Sequence, residues 1–256
     1  MRHRFVISVF VVVLSLALSA GSFAQGQRGG GARGAAPRVR TPGPPPDNPK
    51  DFNGIWTIDN STIAGHRLRK EPLPLLPWAK DRYDYIRDPN NPDARGRNEL
   101  NPDFKCFPRG PTVAWQGLEH PMEIIQTPKR TLVIFEWGHE LRQIWTDGRA
   151  HSEDPPYTWM GESVGKWEGN TLVFDTIGIN EFTWLDRAGH PHSNALHLVE
   201  RLSHPEQNRL ELEMTIDDPK AYTMPFTVKI GFNRSRDDLE EYVVCEDLFL
   251  HGKQVP

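Results

Sequence analysis

Ser163-Val164-Gly165-Lys166-Trp167-Glu168-Gly169-Asn170-Thr171-Leu172-Val173-Phe174-Asp175-Thr176 reads as two strands folded about Glu168-Gly169-Asn170. The flanking runs carry β-branched and aromatic residues, and the Gly-Asn pair supplies the backbone freedom that a tight hairpin turn needs. In the second run Leu172 and Phe174 point one way while Thr171, Val173 and Asp175 point the other, the period of a half-buried strand. The pattern continues on both sides. Met122 to Gln126 and Arg130 to Trp137 flank Thr127-Pro128-Lys129, and Glu140 to Thr146 ends at Asp147-Gly148. Ala195 to Leu202, Arg209 to Ile216, Tyr222 to Ile230 and Glu241 to Glu246 follow, with turn chemistry at His204-Pro205-Glu206-Gln207-Asn208 and Asp217-Asp218-Pro219. With Gly54-Ile55-Trp56 as a first strand, about ten short strands joined mostly by hairpins predict an all-β, antiparallel barrel or sandwich.

Helical signal is confined to Trp78 to Arg87, where Pro77 takes a first-turn position that tolerates a missing donor and Asp88-Pro89 stops the chain. Glu71 to Pro111 is crowded with prolines and polar residues and reads as an irregular Pro-rich N-terminal wrap.

Two segments of different character precede this region. Arg2 and Arg4 lead into an apolar run from Phe5 to Ala20, and Ser22-Phe23-Ala24 offers a cleavage site, which together predict a signal peptide over residues 1–24. The run is shorter than the roughly 20 residues that span a bilayer as helix, so the processed chain is expected to be periplasmic or secreted, without stable membrane insertion. Residues 25–50 are dominated by Gly, Arg, Ala and Pro and predict a disordered linker. Arg28, Arg33, Arg38, Arg40 and Lys50 against Asp47 give it +4, and the signal peptide adds +2, so the total of −4 leaves −10 for residues 51–256. An acidic body of that kind argues against nucleic acid as a partner.

Residues 51–256 have the length of a single β-barrel domain. The two cysteines, Cys106 and Cys245, lie near its opposite ends. In an exported chain a disulfide is the economical reading, and a catalytic thiol is the rival.

Between Phe135 and Arg201 stand five of the eight tryptophans and five of the ten histidines. The sharpest constellation is His190-Pro191-His192 followed by His197, which can supply three nitrogens to a divalent, Zn-type metal. The alternative is a loop that Gly189 and Pro191 shape and the imidazoles merely cap. Acid–base chemistry is a second possibility, through His139, His151 and His190 with Glu136, Asp154 and Asp186. Catalytic candidates are therefore His190, His192, Asp186, His139 and Glu136. Trp145, Trp159 and Trp184 can stack on a ligand, while Arg142, Arg149, Arg201 and His151 can hold a polar group. For Trp145 in its strand, core packing is the competing reading; Trp159 and Trp184 fall in the two longest loops, Gly148 to Gly161 and Asn180 to Asn194, which are expected to form a pocket mouth.

Gly54-Ile55-Trp56 ahead of a run of hairpins resembles the start of a lipocalin-type barrel. The chain is also similar to an uncharacterised family of exported bacterial proteins. That similarity rests on Phe135-Glu136-Trp137-Gly138-His139, Gly165-Lys166-Trp167-Glu168-Gly169-Asn170-Thr171-Leu172-Val173, Thr183-Trp184-Leu185-Asp186, Gly189-His190-Pro191-His192-Ser193 and Thr215-Ile216-Asp217-Asp218-Pro219. The resemblance implies a lipocalin-like barrel with a shared pocket, and brings no activity with it. Three functions stay open: binding of a small amphipathic or aromatic molecule in a Trp/His-lined pocket; a hydrolase, lyase or isomerase at the barrel mouth; and a structural or partner-binding envelope protein.

Overall fold

The computed structural model describes residues 41–65, 67–69, 72–90, 101–117 and 120–241. Among them nine strands close into a barrel in chain order. They are β1 (Gly54–Ile58), β2 (Met122–Gln126), β3 (Arg130–Phe135), β4 (Glu140–Trp145), β5 (Glu162–Glu168), β6 (Thr171–Ile177), β7 (His197–Glu206), β8 (Arg209–Asp217) and β9 (Phe226–Arg234). β9 returns to β1 through Trp56↔Arg234 and Ile58↔Phe232, so each of the nine is paired on both sides and no edge is offered to another chain.

One pairing departs from the antiparallel expectation. β4 and β5 run parallel, through Ile144↔Ser163 and Trp145↔Val164. Asp147-Gly148 ends β4 without reversing the chain, and residues 146–161 instead form the long crossover that a parallel pair requires. Gly161 makes the turn into β5 possible: its φ is 68°, and a Cβ there would lie 2.6 Å from the Ile177 carbonyl oxygen.

Strand bounds shift where turns compete. β7 begins at His197 and runs through Pro205 to Glu206, with a bulge between Ser203 and Glu206 that accommodates the proline. β9 begins at Phe226 rather than Tyr222, because the Asp218 carbonyl accepts the backbone N–H of both Ala221 and Tyr222 and holds that stretch as a turn. The expected strand from Glu241 lies outside the described residues beyond that residue, as does Cys245, the expected partner of Cys106. The end of the expected linker touches the barrel: the Gly43 N–H donates to Glu206 Oε2 at 2.6 Å, and the Gln207 N–H to the Pro44 carbonyl at 2.9 Å.

α1 (Pro77–Arg87) is the expected short helix. α2 (Pro111–Trp115), which no periodicity announced, has all five residues buried. It carries Trp115 into the barrel, where the indole meets Phe135 edge-on at 5.6 Å and Phe232 at 5.7 Å between ring centroids. The inward residues of the strands complete this core, among them Trp56, Ile124, Phe174, Leu198, Leu212 and Ile230. Among the described residues no helix is long and apolar enough to cross a membrane.

Candidate functional site

Among the described residues the inward side chains of the barrel pack into a continuous core. Cavities at its Trp115 end and beside Trp184 each measure about 10 Å³, on the order of a single water. A larger volume, about 260 Å³, is a groove on the outer surface of β7–β9, lined by Arg201, Glu211, Glu213 and Lys229 among others. Trp115 from α2 and the large inward side chains of β6–β9 occupy the barrel core.

Arg142, a candidate ligand-binding residue, is fully buried in this interior. Its Nη1 donates to Glu200 Oε1 at 2.8 Å, and its Nη2 donates to Glu200 Oε2 and to Thr176 Oγ1, the latter at 2.9 Å. The Trp115 indole N–H adds a bond to Glu200 Oε1 at 2.6 Å. Both charges are therefore neutralised within the core, and the guanidinium is committed to the fold. Its Nε alone lacks a partner among the described residues. Alternation in β7 places Leu198, Glu200 and Leu202 inside and His197, Val199 and Arg201 outside, so the interior carboxylate is Glu200, which sequence reasoning missed.

The β6–β7 loop is organised by Asp186, which is fully buried. Its carboxylate accepts the backbone N–H of Leu68, Ala188 and His190 at 3.2, 3.0 and 3.3 Å, and both its oxygens lie 2.8 Å from His190 Nδ1. Nδ1 must carry the proton, which leaves Nε2 as the basic nitrogen. The ring stacks on Tyr83 of α1 with centroids 4.0 Å apart and planes within 6°. Gly189, with a φ of 94°, lets the loop pass beneath α1; a Cβ there would stand 2.7 Å from Ile86 Cγ2. His192 is buried too, but faces other partners: Thr183 Oγ1 lies 2.7 Å from Nε2 and the Ser193 carbonyl 2.9 Å from Nδ1. Burial holds this imidazole below the ordinary histidine range, against the opposing pull of the Ser193 carbonyl, Asp218 and Glu181. A neutral ring donating from Nδ1 and accepting from the threonine hydroxyl satisfies both contacts.

No family model matches the chain, and no curated protein matches it.

The two long loops do meet. A parallel bridge pairs Thr158 with Ile179, the Thr158 N–H donating to the Gly178 carbonyl at 2.8 Å and the Asn180 N–H to the Thr158 carbonyl at 2.9 Å. Beside it Trp159 stacks on Phe107 of the wrap at 5.2 Å, planes 26° apart, and contacts Phe182 of the β6–β7 loop at 6.2 Å. Phe107 and Phe182 are 46% and 66% exposed, and Tyr157 on the same crossover 59%. Trp184 stands apart from that cluster, at a crevice with Arg109, Val113, Asp186 and Arg187.

Other candidates are dispersed. His197 faces outward, its Nε2 2.6 Å from Asp175 Oδ2, so His190, His192 and His197 each serve a different partner instead of one metal. Among the described residues no group of three or more His, Cys, Asp or Glu is placed to hold a metal ion. His139 is exposed on a turn with a φ of 51°, and Glu136 turns instead to His120, whose Nδ1 lies 3.0 Å away, and to the Glu240 N–H at 2.9 Å. Trp145 lies on the outer face with the Arg149 guanidinium 3.7 Å from its ring centroid, and Arg201 pairs outside with Glu168 at 2.9 Å. His151 bridges two carboxylates on the barrel wall, at 3.0 Å from Glu162 Oε1 and 2.9 Å from Asp175 Oδ1.

Proposed function

We propose that the chain is an exported barrel that captures a small amphipathic or aromatic molecule on its loop face, not within the barrel. The observation that carries this reading is the exposed stack Phe107–Trp159–Phe182, in which three separate segments bring aromatic faces together and two of them stay largely open to water. A planar or apolar ligand laid on this stack removes apolar area from water and gains ring-on-ring contacts worth about 0.5 to 1.5 kcal/mol each. Anilinonaphthalene sulfonate, which pairs an aromatic body with one charge, is a suitable probe. Saturable capture by the native chain, lost in a Trp159→Ala/Phe182→Ala variant that keeps the native far-ultraviolet dichroism, supports the reading; undiminished capture in that variant overturns it. Export is tested by sequencing the protein recovered from a periplasmic fraction, with Gln25 expected at its N-terminus.

A second reading, a hydrolase, lyase or isomerase, draws on one observation: Asp186 fixes the His190 tautomer as in a general-base pair. In its hydrolase form it requires turnover of a simple activated ester such as p-nitrophenyl acetate to fall to the background rate in His190→Gln.

A further inference from the structure

We infer that His151 is a charge-operated clasp that fastens the β4–β5 crossover to the barrel wall, so that the Trp159 face is presented when the imidazole is cationic and is released when it is neutral. This rests on the loop-face binding reading for its consequence, though not for its mechanism.

The geometry carries it. Each ring nitrogen of His151 faces a carboxylate oxygen, Nδ1 to Glu162 on β5 and Nε2 to Asp175 on β6. Carboxylates only accept, so both nitrogens can donate only in the imidazolium; the neutral ring carries one N–H and turns a lone pair toward one of the two anions. The next residue repeats the attachment, Ser152 donating its N–H and its hydroxyl to Glu162, each at 2.8 Å. Burial opposes ionisation of Glu162, but the two Ser152 bonds and His151 outweigh it and hold that carboxyl below the ordinary range. Downstream on the same crossover stand Tyr157 and Trp159.

Charged neighbours complete the setting. Arg149, paired with Asp147 on the crossover itself, adds positive charge toward Glu162. Glu153 and Asp154 on the crossover are exposed. On β7, His197 shares Asp175 and stands opposite Asp217 of β8, while Arg201 is paired with Glu168, which also holds Lys166 of β5. Among the described residues the ion pairs of Asp175 are with His151 and His197, and none is with a lysine or arginine. As pH rises, loss of the imidazolium proton removes one charge-assisted bond and sets a lone pair against a carboxylate; as pH falls far enough to protonate Glu162, the other anchor weakens. The clasp is therefore closed in mild acid and opens on the alkaline side.

The test is hydrogen–deuterium exchange of the full chain, corrected for intrinsic exchange, at about pH 5.5 and about pH 8.5. In the wild type, protection of amides in residues 150–160 should fall by about tenfold across that interval relative to β8, the loss of one charge-assisted bond. His151→Gln should show the low protection at both values. His197→Gln, which shares Asp175 but lies outside the crossover, should keep the wild-type response. A flat wild-type profile, or a wild-type response in His151→Gln, overturns the clasp. Capture of anilinonaphthalene sulfonate, measured in parallel, should weaken in step with protection. If the Trp159→Ala/Phe182→Ala variant leaves capture intact while the exchange response persists, the binding reading falls and the clasp stands.

Discussion

The barrel interior and the loop face draw on the same residue types, charged groups and aromatics, and arrive at opposite states. Inside, Arg142, Glu200, Thr176, Ser163 and Trp115 satisfy one another, and the rings of Phe135, Phe174 and Phe232 close around them. On the loop face Phe107, Trp159 and Phe182 touch but leave broad faces to water, and His151 is held at the surface by two anions. Whether an Arg or a Trp can serve a ligand depends on whether its neighbours have exhausted it. In the barrel they have, the Arg142 Nε aside; the aromatic faces of the loop stack they have left open.

That contrast breaks most visibly in the core. Glu200→Ala strands the Arg142 guanidinium in a packed interior and should cost about 3 to 5 kcal/mol, while an Arg142→Met/Glu200→Leu double replacement should cost far less, because no buried charge is left alone. Urea unfolding of the three proteins measures both, and equal losses would mean that shape rather than charge governs the site. Asp186→Ala is next in size. It leaves the Leu68, Ala188 and His190 N–H groups and His190 Nδ1 without their acceptor, and about 2 to 3 kcal/mol should be lost in the same assay. Phe182→Ala sharpens the other side of the comparison: with most of its ring in water it should shift stability within about 0.5 kcal/mol, yet reduce probe capture several-fold.

The barrel was legible because alternation and turn residues are local signals. Leu172 and Phe174, or Leu210, Leu212, Met214 and Ile216, declare their face without reference to anything distant, and the structure places them in the core. The crossover was not legible: Asp147-Gly148 is as good a hairpin signal as Glu168-Gly169-Asn170, and only the pairing of β5 beside β4 decides between a reversal and a passage. Glu200 escaped for a related reason. Its strand alternates with His197 and Arg201 on one face and Leu198 and Leu202 on the other, and a glutamate among leucines earns attention only once Arg142, far away in sequence, is known to face it. The loop site was half legible. Trp159 was found from its place in a long loop, whereas Phe107 and Phe182, its actual neighbours, carry no sequence mark, and nearness in sequence paired His139 with Glu136 where space gives that glutamate to His120.

At neutral pH the smallest effect expected belongs to His192, whose contribution is read through pH alone. Its imidazole is buried and held below the ordinary histidine range, so the unfolded chain takes up a proton there before the folded one does. Stability from this residue is then complete above the unfolded value, about 6.5, and declines as pH falls below it, by at most about 1.4 kcal/mol per unit. His192→Gln cannot titrate but can offer its amide to the Thr183 hydroxyl or the Ser193 carbonyl, so it should remove that slope with little change at neutral pH. Unfolding midpoints of both proteins between about pH 7 and pH 5 give the comparison, and parallel curves would show that the ring is protonated equally in both states. A difference confined to acid would separate this inward-facing histidine from His151: lowering the pH strains the one and closes the other.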